Sequence, residues 1–334
     1  MKKVLSVAAV ILAVALVAFL AYDGIANKET STDFFSMNTY VTAKLVGADS
    51  DECAEQIRSL TEKLDTEILS RTSPSSYVFK LNSNGGGEVD GKIKEYLTVL
   101  LNVSQKSGGA FDFTLGGVSD LWNFGAEPSV PDETALKDAL SHSGYQKIQL
   151  EETAVIYGDK KAVIDFGAAG KGIALDEIKS LLSGKKIKSA VVSVGGSVLL
   201  MGEDEFTVGI RNPSGNSGSY IAKLNIPEFC VSTSGSYEQQ FEKDGEVFHH
   251  ILNPETGYPA NNGLLSVTVL SQSGILSDAL STACFVLGQE KGMALAKEFG
   301  CHAIFVTENK EIIAEKYAVD IIEITDDSYT LVTR

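Results

Sequence analysis

Positive charge is scarce in this 334-residue sequence: 28 Lys and Arg stand against 44 Asp and Glu, a net charge of −16. Such a surface repels a phosphate backbone and excludes nucleic acid as a partner. An anionic ligand has to be met locally, by backbone NH groups, a lysine or a metal ion. Cysteine is scarce too. Cys53, Cys230, Cys284 and Cys301 lack the paired spacing of a metal knuckle, and three of them lie in apolar runs, so they read as small buried side chains. The only histidines are His142, His249, His250 and His302, which leaves few candidates for a general base. No internal repeat of about 20 to 50 residues is present, which excludes a solenoid or propeller. What remains, 44% hydrophobic and 22% charged residues, is ordinary globular composition and excludes disorder.

Long hydrophobic runs are missing except at the start. Lys2 and Lys3 precede an uncharged run from Val4 to Tyr22, long enough at about 1.5 Å per residue to cross a hydrocarbon core of about 30 Å. With the lysines inside, the rest of the chain faces outward. Residues 1–22 are therefore expected to form a single-pass membrane anchor, with a cleaved signal peptide as the alternative. Residues 23–34 read as a polar tether and residues 35–334 as one catalytic unit, because no strong linker interrupts them.

Along that unit, alternating segments such as "FFSMNTYVTAKLVG" predict strands, and Leu60, Leu64 and Leu69 predict a helix from Ser50 to about Leu69. Further strands are expected near Ile148 and Val163, in "SAVVSVGG", "EFTVGIRN" and "YIAKLNI", from Phe229 to Ser232, and leading into His249. A helix is expected from Ile173 to Leu182. Strands and helices intermingle without a regular βαβ rhythm, so the fold class is α+β, with a largely antiparallel sheet and flanking helices.

Three stretches carry chemistry. "DFGAAGKGIALD", Asp165 to Asp176, sets a glycine-rich turn before a helix, with Lys171 where the helix opens. Free NH groups and a lysine suit a phosphate. It is not a Walker A loop: Asp165 takes the place of the first glycine, and Gly172 that of the Ser or Thr after lysine. The plainer reading is a turn that starts a helix. "SVGGSVLLMG" fits neither the dinucleotide fingerprint nor a nucleophile elbow.

In "SGILSDALSTACFVLG", a helix capped by Ser277 would bring Asp278, Ser281 and Thr282 to one face. Hard oxygen donors so arranged suit Mg²⁺, although Asp278 could merely complement the helix terminus. The third stretch, "VSTSGSYEQQFEKDGEVFHHILNPETG", crowds hydroxyls, a Tyr-Glu pair and two histidines into residues 231–257. His250 is the candidate base, against a structural reading, and strand alternation sends His249 to the opposite face.

Together, "GGAFDFTLGGVSDLWNFG", "DFGAAGKGIALD", "SVGGS", "VSTSGSYEQQF", "HILNPETGYPA" and "LSVTVLSQSGILSDALSTACFVLG", in this order, resemble the ApbE family of flavin transferases. The resemblance implies an extracytoplasmic, Mg²⁺-dependent enzyme. It would cleave the pyrophosphate of FAD, place FMN on a Ser or Thr hydroxyl of a partner protein and release AMP. It further implies His250 as base; Met37, Ala110, Phe111, Asp112, Asp165, Lys171 and Leu252 as FAD contacts; and Asp278, Ser281, Thr282 and the carbonyl of Ala168 as metal ligands. Where several relatives carry an aromatic residue, this chain has Arg71 and Thr72, so a flavin stacking contact would be absent or come from Tyr77. No acceptor motif is evident, so the acceptor is expected to be another chain, a surface or membrane-linked redox protein. Competing readings are an FAD pyrophosphatase giving FMN and AMP, a non-catalytic flavin-binding module and a structural surface protein.

Overall fold

In the computed structural model, residues 24–334 are described apart from 204, 216 and 217. The expected anchor or signal, residues 1–22, lies outside the described residues. Among those described, no helix is long and apolar enough to cross a membrane.

Strands are numbered in chain order. The main sheet contains β1 (Glu29–Ser36), β2 (Thr39–Gly47), β6 (Ile187–Val194), β7 (Ser197–Gly202), β10 (Cys230–Gly235), β13 (Leu264–Ser271), β14 (His302–Thr307), β15 (Glu311–Ala314) and β17 (Thr330–Thr333), and this is also their order in space. Every pairing in it is antiparallel except β15 with β17. Smaller sheets are β3 (Gly86–Glu88) with β4 (Ile148–Leu150) and β5 (Ala154–Tyr157); β8 (Phe206–Arg211) with β9 (Tyr220–Ile226) and β16 (Ile322–Ile324); and the hairpin β11 (Gln240–Lys243) with β12 (Glu246–His249). The helices are α1 (Ser50–Lys63), prolonged by a π-helical stretch Leu64–Leu69, α2 (Tyr77–Asn84), α3 (Gly91–Lys106), α4 (Gly116–Trp122), α5 (Glu133–His142), α6 (Gly170–Leu182), α7 (Gly274–Leu287), α8 (Gln289–Glu298) and α9 (Lys316–Val319).

The sheet is buried on both faces along its middle strands, and β14 shows why. Its period-2 alternation sends Ala303 and Phe305 into the core under the helices, and Ile304 and Val306 into the core under β8 and β9. By contrast β2 buries Val41, Ala43, Leu45 and Gly47, with its alternate residues toward solvent. Helix α7 is nearly all apolar and buried, lying between the sheet and α6. A helix apolar on every side belongs in a core. Its few polar side chains therefore need partners inside the protein.

Four sequence expectations change. Residues 29–34, read as tether, lie in β1: a polar edge strand whose alternation is faint because only Phe34 and Ser36 are buried. Val163 makes only an isolated bridge to Leu115. Strand β10 continues past Ser232 to Gly235. Helix α7 begins at Gly274, so Ser277 is no cap; its hydroxyl donates back to the Gly274 carbonyl at 2.9 Å.

Candidate active site

Strand β10 runs beside α7 and explains the crowded hydroxyls. Ser232 Oγ lies 2.8 Å from Ser277 Oγ, and Ser234 Oγ lies 2.7 Å from Ser281 Oγ and 3.1 Å from Thr282 Oγ1. Thr233, pointing the other way, meets Thr268 of β13 at 2.8 Å. Alternate hydroxyls of the strand thus fasten the helix that the sequence marks as a cation site. Asp278 on that helix is only 4% exposed. Its Oδ2 accepts from the Gly172 NH at 2.9 Å and its Oδ1 from Ser197 Oγ at 3.3 Å. No ion pair among the described residues involves it. Buried carboxylates are ordinarily paired or bound to metal.

Donor chemistry decides which metal would fit. Among the described residues, no group of three or more His, Cys, Asp or Glu side chains could hold an ion. One carboxylate with neighbouring hydroxyls, Ser281 and Thr282, is a hard, oxygen-only set. That suits Mg²⁺, which retains water and takes one or two carboxylates, and does not suit Zn²⁺. Ala168 sits in the turn before α6, partly buried.

Helix α6 starts against the same point. A Cβ on Gly172 would lie 2.1 Å from the Gly274 carbonyl oxygen, and one on Gly274 would lie 2.3 Å from that of Gly172. Only glycine lets the two helix starts touch. This contact holds the residue after Lys171 against α7. Lys171 pairs with no carboxylate among the described residues, yet its charge reaches both His250 and Glu238. Just upstream, Asp165 accepts from the Gly167 NH at 2.8 Å and from Arg71 Nε at 2.8 Å, and the same guanidinium reaches Asp120. Burial weighs against the Arg71 charge, but Asp165 and Asp120 more than offset it and raise its pKa.

The hairpin β11–β12 delivers the histidines. Asp244 (φ 56°) and Gly245 (φ 82°) make its tight turn, the left-handed pair that hairpins favour. His249 is structural: Nε2 donates to the Ala260 carbonyl at 3.0 Å, Nδ1 accepts from the Ile251 NH at 3.3 Å, and the ring stands on edge against Phe285. At His250, Nδ1 lies 3.3 Å from the Gln239 carbonyl. A carbonyl can only accept, so Nδ1 carries the proton and Nε2 keeps its lone pair. Burial first, then the Lys171 charge, lower the His250 pKa to about 4. The loop that follows is pinned by Trp122, whose Nε1 donates to the Gly257 carbonyl at 2.7 Å.

The remaining candidates divide. Met37, at φ 52° in the β1–β2 turn, donates its NH to Asp65 at 2.7 Å and lies over Gly170 at the start of α6. Phe111 and Leu252 are buried in packing. Asp112 holds its own loop, accepting from the Thr114 NH at 2.8 Å and hydroxyl at 2.6 Å, and from the Tyr145 NH at 2.9 Å; burial raises its pKa despite them. Only Ala110 of this group borders an open cavity of about 610 Å³, together with Asn253, Val286 and Leu287. That cavity follows the C-terminal part of α7, and its wall includes none of Lys171, His250 or Asp278. Tyr77, the expected stacking substitute, donates its hydroxyl to the Glu88 carbonyl.

Two participants escaped the sequence reading. Glu238 has its pKa raised by desolvation, against the pull of Lys171 and Arg211, with Asp278 adding to the rise. The Tyr237-Glu238 pair is visible in the sequence, but not that the Glu238 carboxylate lies over the Gly196 turn. Asp176 is the other, four residues after Gly172 as Asp278 is four after Gly274.

The model of the ApbE family matches residues 37–305. The chain belongs to the ApbE family. Among curated relatives, a Treponema pallidum protein named FAD:protein FMN transferase is 34% identical over 316 residues, covering 87% of each chain. One of the same name from Klebsiella pneumoniae is 32% identical, covering 86% of this chain and 92% of its own. The crystal structure of the Thermotoga maritima ApbE protein superposes with a TM-score of 0.81 at 29% identity, covering 88% of this chain and 99% of that one. The apo Pseudomonas stutzeri flavinyl transferase ApbE gives 0.74 at 27% identity, covering 84% and 91%. The ApbE fold, with its large mixed-element sheet, is therefore the fold of this chain.

Proposed function

We propose that this ApbE-family protein is an FAD:protein FMN transferase, attaching FMN through a phosphoester to a Ser or Thr hydroxyl of a separate acceptor protein and releasing AMP. The observation that carries this reading is the charge of Lys171, which has no carboxylate partner among the described residues, acting on a His250 whose Nδ1 is hydrogen-bonded, while the buried Asp278 forms no ion pair among the described residues.

In the acid-rich surface, Lys171 is the local means of holding a pyrophosphate, because the Gly170, Gly172 and Ile173 NH groups at the start of α6 already have acceptors. His250 Nε2 accepts the proton of the acceptor hydroxyl as its oxygen forms a bond to the FMN phosphorus. The bond from that phosphorus to the bridging oxygen breaks, and AMP leaves with the oxygen. An imidazole near pKa 4 is unprotonated at neutral pH but weakly basic. A bound anion would cancel the Lys171 charge and raise that pKa, so the base strengthens when substrate is present. Asp278, Ser281, Thr282 and the Ala168 carbonyl would hold Mg²⁺, which would share the charge developing on the phosphates. Asp165, oriented by Arg71, and Met37 would border the flavin half.

The catalytic unit is proposed to work outside the cytoplasm on a membrane or surface redox protein, held by the segment before residue 23. Intact mass measurement of an acceptor incubated with the full chain, FAD and Mg²⁺ tests transfer. A gain of one FMN unit is expected. FMN and AMP accumulating while the acceptor stays unmodified would replace transfer by hydrolysis.

A further inference from the structure

Helices α6 and α7 carry the same short pattern at their starts: Gly172-Ile-Ala-Leu-Asp176 and Gly274-Ile-Leu-Ser-Asp278. The two copies face each other and exchange carboxylates. Asp176 of α6 accepts from the Gly274 NH at 2.6 Å, the Ile275 NH at 2.9 Å and the Ser273 hydroxyl at 2.9 Å. Asp278 of α7 accepts from the Gly172 NH at 2.9 Å. Neither helix is capped by a side chain of its own, and Ser273, which stands where a cap belongs, donates its hydroxyl to Asp176 instead. The first NH groups of a helix need acceptors. Here each helix supplies them to the other.

We infer that Asp176 is a positioning residue of the cation site, fixing the rotation and depth of α7 and with it the direction of Asp278, Ser281 and Thr282. This rests on the cation reading above. The Gly172–Gly274 contact sets how close the helices come, and the β10 hydroxyls hold α7 further along, from Ser277 to Thr282, which leaves the rotation of its first turn to be set. Three donors converging on one carboxylate set it there. A neutral amide at 176 would turn a donor NH₂ toward NH groups and a hydroxyl that all donate, so one contact must open. Partners that orient a metal ligand typically change affinity by about 10- to 100-fold when lost.

The test is Mn²⁺ binding to the full chain, read from the free-ion electron paramagnetic resonance signal, for wild type, Asp176→Asn, Ser273→Ala and Leu182→Ala. Leu182 is fully buried at the far end of α6 and serves as a control for general destabilisation. Asp176→Asn is expected to weaken Mn²⁺ binding about tenfold or more, and Ser273→Ala less in the same direction. Leu182→Ala should lower thermal stability yet leave Mn²⁺ affinity unchanged. In turnover, Asp176→Asn should raise the Mg²⁺ concentration for half-maximal rate, with kcat restored at saturation. Wild-type affinity in both Asp176→Asn and Ser273→Ala would overturn the inference while leaving the cation site standing; should Asp176→Asn fail to fold, Ser273→Ala alone decides. No Mn²⁺ binding by wild type would overturn both.

Discussion

Arg71 meets Asp165 at 2.8 Å, Nε against Oδ2, across 94 positions of sequence, and the same guanidinium reaches Asp120. The position where an aromatic residue was expected is thus taken by a charged fork that holds an expected FAD contact in place. Arg71→Ala leaves Asp165 without its cation and free to turn. A hydrogen bond to a charged group contributes about 1.5–3 kcal/mol, so KM for FAD should rise about 10- to 100-fold. Arg71→Lys, which keeps the charge but not the fork, should recover only part of this. An unchanged KM in both would remove Arg71 from the site.

His250→Ala should lower kcat by about 10²- to 10⁴-fold, the usual contribution of a positioned base. FAD binding, followed by flavin fluorescence, should be nearly unaffected. A loss of binding at constant kcat would make His250 a contact and not a base.

The same histidine links stability to pH. Its folded pKa, about 4, lies below the ordinary 6.5, so the fold favours the neutral ring. The contribution is present above pH 6.5 and is lost as pH falls toward 4. Urea midpoints of wild type and His250→Asn should therefore converge on acidification through that window. Parallel curves would contradict the depressed pKa.

Asp278→Asn removes the only carboxylate of the proposed cation set. Transfer should fall at least tenfold at limiting Mg²⁺, on the scale of lost metal affinity. In the wild type, EDTA should abolish the gain in acceptor mass, and added Mg²⁺ should restore it. Activity indifferent to both treatments would end the metal reading.

Gly172→Ala forces a Cβ to 2.1 Å from the Gly274 carbonyl. Overpacking of this kind costs about 1–3 kcal/mol. Gly91→Ala, at the start of α3 with open space around it, should be neutral or stabilising by up to about 1 kcal/mol. Urea unfolding compares the two, and equal midpoints would refute the close contact.

Much of this site was legible because its spacing is local. Asp278, Ser281 and Thr282 share a face of any helix, and Lys171 at a glycine-rich helix start announces an anion. What stayed hidden depends on meetings between distant segments. Propensity placed the start of α7 at Ser277, but a packing contact with Gly172 makes Gly274 the first residue. Asp176 only closes the glycine-rich stretch in the sequence, because its three donors lie about a hundred positions away. Arg71 was noticed only as a missing aromatic. The cysteines were read correctly: all four are free and buried, and burial pushes the Cys230 and Cys284 thiols up to about 12.

The hydroxyl pairs between β10 and α7 carry a last consequence. Ser234 faces Ser281 and Thr282 with an O–H on each side, and either member of each pair can donate. Such a row is a set of rotors. If an incoming cation claims the lone pairs of Ser281 and Thr282, the Ser281 proton can stay on the Asp278 carbonyl, 2.8 Å away, while that of Thr282 swings toward Ser234 by torsion of a single C–O bond. Backbone and rotamers stay where they are. The empty and loaded states would then differ chiefly in which way a few hydrogens point, and loading would be limited by water leaving the ion and not by movement of the protein.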